Sequence, residues 1–328
     1  MEKGLLIDTG RKFWSVQFLE SVLELMGDLG MTHLQLHFSE NTGFRLEYPE
    51  LALDSELDGG RYSKADMTHL VEFAAARGIE IVPSFDSPGH LGGILENFPD
   101  FALTKKDGTK DFTALDVTNP EACDFIINIY KTLAQLFPAK LFHIGGDEFI
   151  PFNQVDDYPA LSGKLDAYVN YVNRLADTLT AAGKTCRVWN DGFFRHSPET
   201  QSTLTDQVEV CYWTNWDKNM ADVHTWLDKQ YTVINFCDNY LYYVLGENAG
   251  YSYPTAEKLE EWSPDLFSGG QRLTADEMPQ LKGCYFSVWS DIPEAKAEEA
   301  VLEDLKQLLP VYVKKINENE NEKEAHDF

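Results

Sequence analysis

Eight short apolar runs recur along this 328-residue chain, and nearly every one ends in polar or aromatic side chains. They are Leu5–Thr9, His33–Phe38, Glu80–Phe85, Leu141–Ile144, Cys186–Trp189, Val208–Trp213, Thr232–Phe236 and Cys284–Trp289. Helix-like stretches lie between many of them, at Val16–Leu29, Lys64–Arg77, Pro120–Phe137, Leu161–Ala182 and from about Glu294 to Lys315. The third is entered through Asn119 with Pro120 in the first turn, where a missing N–H costs nothing. No linker rich in Pro, Gly or Ser divides the chain. Strand–helix alternation over this length predicts a single (β/α)8 TIM barrel spanning residues 1–316. The charged, apolar-poor tail 317–328 is expected to be disordered. An open doubly wound sheet is the alternative. The barrel is favoured because it gathers every strand end on one face: Asp8/Arg11, His37/Glu40, Asp86/His90, Asp147/Glu148, Trp189/Asp191, Trp213/Trp216, Asp238/Tyr240/Tyr242 and Trp289/Asp291. An open sheet leaves several of these too far apart to cooperate.

The fourth run reads L-F-H-I-G-G-D-E, from Leu141 to Glu148. A buried parallel strand stops at two glycines, which allow a tight turn or the close approach of a ligand. Successive strand side chains point to opposite faces. Asp147 and Glu148 therefore share a pocket only where the strand ends or is distorted. Two neighbouring carboxylates suit a site in which one stays ionised while the other carries a proton for acid catalysis. The alternative is a helix start after a glycine turn, with both acids at its positive end.

A hydrophobic share of 43% with 13% aromatic residues is ample for a core, and Trp and Tyr are also good platforms for sugar rings. The net charge of −27 argues against nucleic acid and anionic membrane surfaces as partners. Met-Glu-Lys-Gly leads straight into a strand without a basic, apolar and small-residue leader, and no apolar run approaches the ~20 residues that span a bilayer. A cytoplasmic location is the expectation, unless a leader was trimmed. Cys123, Cys186, Cys211, Cys237 and Cys284 are scattered and never in C-x-x-C spacing, which fits neither a disulfide framework nor a zinc site.

No phosphate loop, G-x-G-x-x-G or G-x-S-x-G elbow is present. His37, His90 and His143 together with nearby acids make a metal site conceivable, but no H-E-x-x-H spacing supports it, and neither metal nor cofactor is expected. What remains is a pocket of carboxylates, one arginine and many aromatics, the inventory of a glycosidase. Glycosidases usually set two carboxyls about 5–5.5 Å apart (retaining) or about 6.5–9.5 Å apart (inverting), one on each side of the scissile bond. Sequence neighbours do not easily flank a bond in that way. They can work from one side if the substrate brings its own nucleophile, as a 2-acetamido carbonyl oxygen does.

The H-I-G-G-D-E stretch resembles the signature of glycoside hydrolase family 20, the β-N-acetylhexosaminidases and lacto-N-biosidases. Leu6 to Arg11 is similar to that family's L-D-x-x-R opening, His37 to Arg45 to its H-L-x-D-x-x-x-W-R, and Pro83 to His90 to its P-E-x-D-x-P-G-H. The likeness is nearest to single-domain, dispersin-like bacterial members, through Trp189–Gly192 (W-N-D-G), Tyr212-Trp213, Tyr240–Tyr242 (Y-L-Y) and the closing Ser287, Trp289 and Asp291. The resemblance implies a retaining, substrate-assisted mechanism through an oxazolinium intermediate on an oligosaccharide ending in β-N-acetylhexosamine. By position it implies Glu148 as acid and then base, Asp147 on the acetamido N–H, Tyr240 on the acetamido oxygen, and His90 behind Glu148, backed by Glu40. Trp189, Trp213 and Trp289 are expected to wall the sugar, with Arg11 and Asp291 on its outer hydroxyls. Tyr242 and Tyr243 are expected to pack rather than react. Trp216 is either a platform for the next sugar or simple packing.

Four positions depart from the family pattern. Glu40 stands where Asp is usual, Ser84 replaces the Glu of P-E-x-D, Phe44 replaces a common Trp, and Asp291 sits where dispersin-like members carry Glu. Three functions remain open: an exo-acting β-N-acetylhexosaminidase, a lacto-N-biosidase-type enzyme that releases a disaccharide, and a non-hydrolytic sugar-binding module.

Overall fold

The structure, a computed structural model, describes residues 1–48 and 60–326. Eight parallel strands close on themselves: β1 (Glu2–Asp8), β2 (His33–His37), β3 (Glu80–Ser87), β4 (Leu141–Gly145), β5 (Thr185–Trp189), β6 (Val208–Tyr212), β7 (Val233–Asn235) and β8 (Leu281–Trp289). Each pairs with the next, and β8 returns to β1 with Leu6 opposite Ser287 on one side and Gln35 on the other. The predicted barrel is thus present, and the open sheet is excluded.

The period of two within each strand sorts its residues between two cores. Leu5 and Ile7 belong to the large apolar layer between barrel and helices, whereas Leu6 belongs to an inner cluster with Trp189, Cys211, Ile234 and Phe236. The helices that supply the outer layer start where their sequences say they should. Ser15 caps Val16–Asp28, Ser63 and Asp66 form a capping box on Lys64–Ala75, and Asn119 caps Pro120–Leu136. All five cysteines are buried, and none is in a disulfide.

Regular alternation loosens in the second half. Residues 190–207, between β5 and β6, hold no helix, and β6 is followed only by the short helix Val223–Asp228. After β7 the chain makes one helical turn, Asp238–Leu241, and then adds the strand Tyr242–Val244 beside β8, with Tyr242 opposite Ser287 and Val244 opposite Trp289. That extra strand has a direct bearing on the active site.

The last helix runs from Glu298 to His326 rather than stopping near residue 315. The expected disordered tail is helical up to His326, and residues 327–328 lie outside the described residues. Its polar turn is held from outside the helix: Lys3 Nζ donates to Asn317 Oδ1 at 2.6 Å and pairs with Glu320 at 3.2 Å, while Ile316 is buried. Composition alone carries no signal for such a tertiary anchor.

The amino-terminal end of the barrel is closed by charge. Arg187 of β5, fully buried, pairs with Glu2 of β1 at 2.7 Å and with Glu209 of β6 at 2.8 Å, and donates to the Tyr285 hydroxyl of β8 at 2.7 Å. Three strands from different parts of the circuit are thereby tied to a fourth. Removing one partner of a buried ion pair costs about 3–5 kcal/mol, because the other charge is left without compensation. Arg187→Met is expected to lower the free energy of unfolding by an amount in that range, read from urea midpoints, whereas Lys314→Met, which removes an exposed pair with Glu260, should leave the midpoint nearly unmoved.

Candidate active site

The site is organised by the way β4 stops. Gly145 and Gly146 both take left-handed backbone angles, φ +77° and +93°, and Glu148 follows at φ +38°. A side chain at Gly145 would press on Asp86 at 2.8 Å and one at Gly146 on Phe193 at 3.2 Å. No helix begins here; the next element is the 3-10 turn Phe152–Asp157. The double left-handed turn breaks strand alternation, so Asp147 and Glu148 line the same cavity. Asp147 is mostly enclosed, with a side chain 13% exposed, while Glu148 at 51% reaches the mouth.

His90 stands between them, its Nε2 3.3 Å from Asp147 and 3.4 Å from Glu148. Its Nδ1 lies 3.0 Å from Glu40. Burial by itself would favour the neutral imidazole, but Glu40 and Asp147 outweigh it and hold His90 well above the usual histidine range. Glu40 is also buried, which would raise it, yet His90, Arg11 and His37 keep it well below the usual carboxylate range. Arg11 contributes by pairing with Glu40 and Asp8, both at 2.8 Å, with Asp291 3.9 Å away. The extra methylene of Glu40 therefore does not break the relay to His90; one carboxylate reaches both His90 and Arg11.

The cavity holds about 500 Å³. Trp189 and Trp289 form its floor, with ring centroids 6.1 Å apart, and Trp213 stacks parallel to Tyr242 at 6.0 Å. Several buried polar atoms in these walls find no partner in the protein: Asp147 Oδ1, Trp189 Nε1 and Trp289 Nε1. Trp216, 68% exposed, stands at the rim. Asp291 accepts from Asn248 Nδ2 at 3.1 Å.

Of the residues singled out in the sequence, Asp147, Glu148, His90, Arg11, Glu40 and the four tryptophans all line this cavity, as does Asp291. Tyr240 does not. It lies on the helical turn Asp238–Leu241, packed on the outer core, with Lys258 Nζ 5.7 Å from its ring centroid. Tyr242 takes its place, because the strand Tyr242–Val244 lies parallel to β8 and points Tyr242 and Val244 into the cavity while Tyr243 faces out. The period-two pattern of Y-Y-V after Leu241 was the available signal. Burial holds the Tyr242 hydroxyl well above its ordinary range, so it is a donor at any working pH.

Asp238, expected at a strand end, lines the cavity too, and Tyr251, which the sequence did not single out, stands beside it. Asp238 is closed off by Ser268, Thr214 and Tyr251, whose hydroxyl donates to it at 3.0 Å. Burial raises Asp238 against the pull of those bonds.

Among the described residues, His90, Asp147 and Glu148 have ligand atoms within 4.8 Å of one another, close enough to share a metal ion. The same three groups also form the ion pairs described above, His90 Nε2 to Asp147 at 3.3 Å and to Glu148 at 3.4 Å.

Below the cavity, His37 lies 3.4 Å from Glu40 and 3.8 Å from Asp86. Burial pulls His37 down, but Asp86, Glu40 and Asp8 reverse this and raise it from 6.5 to about 9. Its charge therefore stabilises the fold fully below pH 6.5, and that contribution is lost as pH rises through about 9. Unfolding free energy measured by urea titration is expected to fall across this window, with His90 adding to the slope. His37→Gln should flatten it.

The catalytic-domain model of glycosyl hydrolase family 20 matches residues 3–305. The chain is 26% identical over 308 residues to a lacto-N-biosidase from Bifidobacterium bifidum, a match that covers 89% of this chain and 26% of that protein. It is 28% identical over 219 residues to a β-hexosaminidase from Akkermansia muciniphila, covering 58% of this chain and 44% of the relative. The chain thus spans less than half the length of either relative. In fold it is similar to dispersin B, with a TM-score of 0.79 at 23% identity over 97% of this chain and 100% of the other. A catalytic module of the pneumococcal exo-β-D-N-acetylglucosaminidase StrH gives 0.80 at 21% identity over 96% of this chain and 83% of that one. With the family model matched over almost its whole length, the chain belongs to glycoside hydrolase family 20.

Proposed function

We propose that this glycoside hydrolase removes terminal β-linked N-acetylhexosamine from oligosaccharides, with retention, using the acetamido group of the substrate as nucleophile. One observation carries the reading: the two acids stand side by side on one wall of an aromatic cavity, with the Asp147 Oδ1 buried and without a partner in the protein. A carboxylate so placed accepts an acetamido N–H well. Hexosaminidase relatives support the substrate class.

In the first step the acetamido carbonyl oxygen attacks C1 while the Glu148 carboxyl gives its proton to the departing glycosidic oxygen, leaving an oxazolinium ion. Asp147 stabilises the positive charge that develops on the acetamido nitrogen. Tyr242 donates to the acetamido oxygen, the task that sequence position assigned to Tyr240. In the second step water attacks C1 on the face the leaving group vacated, Glu148 takes its proton, and the bond from C1 to the acetamido oxygen breaks. Two displacements give retention. The exposure of Glu148 at the mouth and the enclosure of Asp147 fit this division of labour. Trp189, Trp213 and Trp289 enclose the sugar, and Arg11 with Asp291 meets its outer hydroxyls.

A second reading, release of a disaccharide, is favoured by one observation: the lacto-N-biosidase match extends over 89% of the chain. Product analysis on a milk-type tetrasaccharide separates the two: free N-acetylhexosamine marks the first, an intact disaccharide the second.

With a chromogenic β-GlcNAc glycoside, Glu148→Gln is expected to lower kcat by about 10²–10⁴-fold. An unchanged rate removes Glu148 from the chemistry. A thiazoline mimic of the intermediate should inhibit, and a substrate without the N-acetyl group should turn over far more slowly.

Tyr242→Phe deletes one donor to a developing charge and should cost about 10²–10³-fold in kcat. Tyr240→Phe, outside the cavity, should lie within about two-fold of wild type. The reverse ranking restores the assignment to Tyr240.

A further inference from the structure

The segment after β5, Asn190-Asp191-Gly192, ties the acid pair to the wall of the sugar pocket. Asn190 Oδ1 accepts from the Trp213 backbone N–H at 2.9 Å, and its amide donates to the Thr214 carbonyl at 2.9 Å. Asp191 is 2% exposed, and its two carboxylate oxygens are divided between two segments, those following β4 and β6. Oδ2 accepts from the Glu148 backbone N–H at 2.9 Å, and Oδ1 accepts from the Trp213 indole N–H at 3.0 Å. Gly192 leaves room for a third contact: a Cβ there would sit 1.9 Å from the Tyr168 hydroxyl. That hydroxyl donates to the Gly146 carbonyl. The carbonyl before Asp147 and the amide after it are therefore both held, one by Tyr168 and the other by Asp191.

The contacts form a path from ring to acid. Trp213 stacks on Tyr242 in the cavity wall, Asp191 carries its indole, and the same carboxylate fixes the peptide of Glu148. A left-handed, non-glycine Glu148 has no local reason to stay where it is. The bond from its N–H to the buried Asp191 carboxyl supplies one. Burial first, and then the charge of Asp147, raise Asp191 to about 7, against the pull of its two N–H donors. An acid so costly to bury ionised, and still tied to both groups, is more than a space filler.

We propose that Asp191 is a positioning residue for the reaction: it locks the backbone of Glu148 to the indole of Trp213, so that the proton donor and the wall of the sugar pocket keep a fixed relation. The proposal rests on the hexosaminidase reading above. Asp191 touches no reacting atom, so its loss should act on kcat more than on KM.

The test uses wild type, Asp191→Asn, Trp213→Phe and the double variant, with thermal unfolding measured first and kinetics on a chromogenic β-GlcNAc glycoside second. In Asp191→Asn the amide carbonyl can keep one N–H, but its NH₂ then confronts the other, donor against donor. A shift of the acid by about 1 Å costs about 10²-fold, so kcat should fall by that order in a folded variant while KM changes little. Trp213→Phe keeps a ring and deletes the opposing donor. The double variant should therefore be less impaired than the product of the two single effects. A kcat for Asp191→Asn within about two-fold of wild type, or single effects that simply multiply, overturns the proposal. Should Asp191→Asn fail to fold, Trp213→Phe decides alone: a drop in kcat supports the link, and a rise in KM with kcat intact overturns it. Wild type without turnover sinks the underlying reading as well; an active wild type with an indifferent Asp191→Asn sinks only this proposal.

Discussion

Glu40 is the interaction on which the floor of the site depends. One buried carboxylate accepts from Arg11, His90 and His37, and each of these three cations in turn answers another acid. Arg11 answers Asp8, His90 answers Asp147 and Glu148, and His37 answers Asp86. Its three cations hold Glu40 below the usual carboxylate range, whereas burial and Asp147 push Asp86 well above it, and without the acids the two histidines would lose their protons to burial. The charges are therefore mutually dependent. Positions that contact no sugar still govern the proton inventory of those that do.

The barrel gives this network its shape. Asp8, His37, Ser84 and His143 stand opposite one another on strands β1 to β4 and present the same face, and Asp86, two residues beyond Ser84, lies 3.8 Å from His37. The aromatic half comes from the other side, from β5, β6, β8 and the strand beside it. One arc of the barrel thus supplies charge and the opposite arc supplies π surface, which matches an amphipathic ring with hydroxyls at its edge and apolar faces.

Much of this was legible in the sequence because strand ends in such a barrel announce themselves locally. An apolar run followed by Asp, His or Trp needs no knowledge of its neighbours, and all eight runs became strands. Glycines 145 and 146 marked the distortion that brings Asp147 and Glu148 together, and the structure shows it as two left-handed residues. Where structure and sequence reading differ, a partner distant in sequence decides the placement. Tyr240 and Tyr242 are equivalent by composition; pairing of Tyr242–Val244 with β8 chooses between them. The tail beyond Asn317 reads as solvated, but its backbone is helical to His326, with Lys3 against Asn317 and Glu320. Asp191 was visible only as one polar strand end among several, since a carboxylate shared between the Glu148 amide and the Trp213 indole has no signature in its own segment.

The plug of Glu2, Arg187, Glu209 and Tyr285 has a kinetic consequence. It closes the amino-terminal end of the barrel, so among the described residues the cavity opens past the exposed Glu148 and Trp216. On the proposed chemistry, the departing aglycone and the incoming water share that opening, and the second displacement must wait for the first product to clear it. A sugar that lingers there sits where water is needed, with a free hydroxyl facing an activated C1. Partition between hydrolysis and transfer to that hydroxyl then follows from traffic at one gate, set by how firmly the rim retains what leaves.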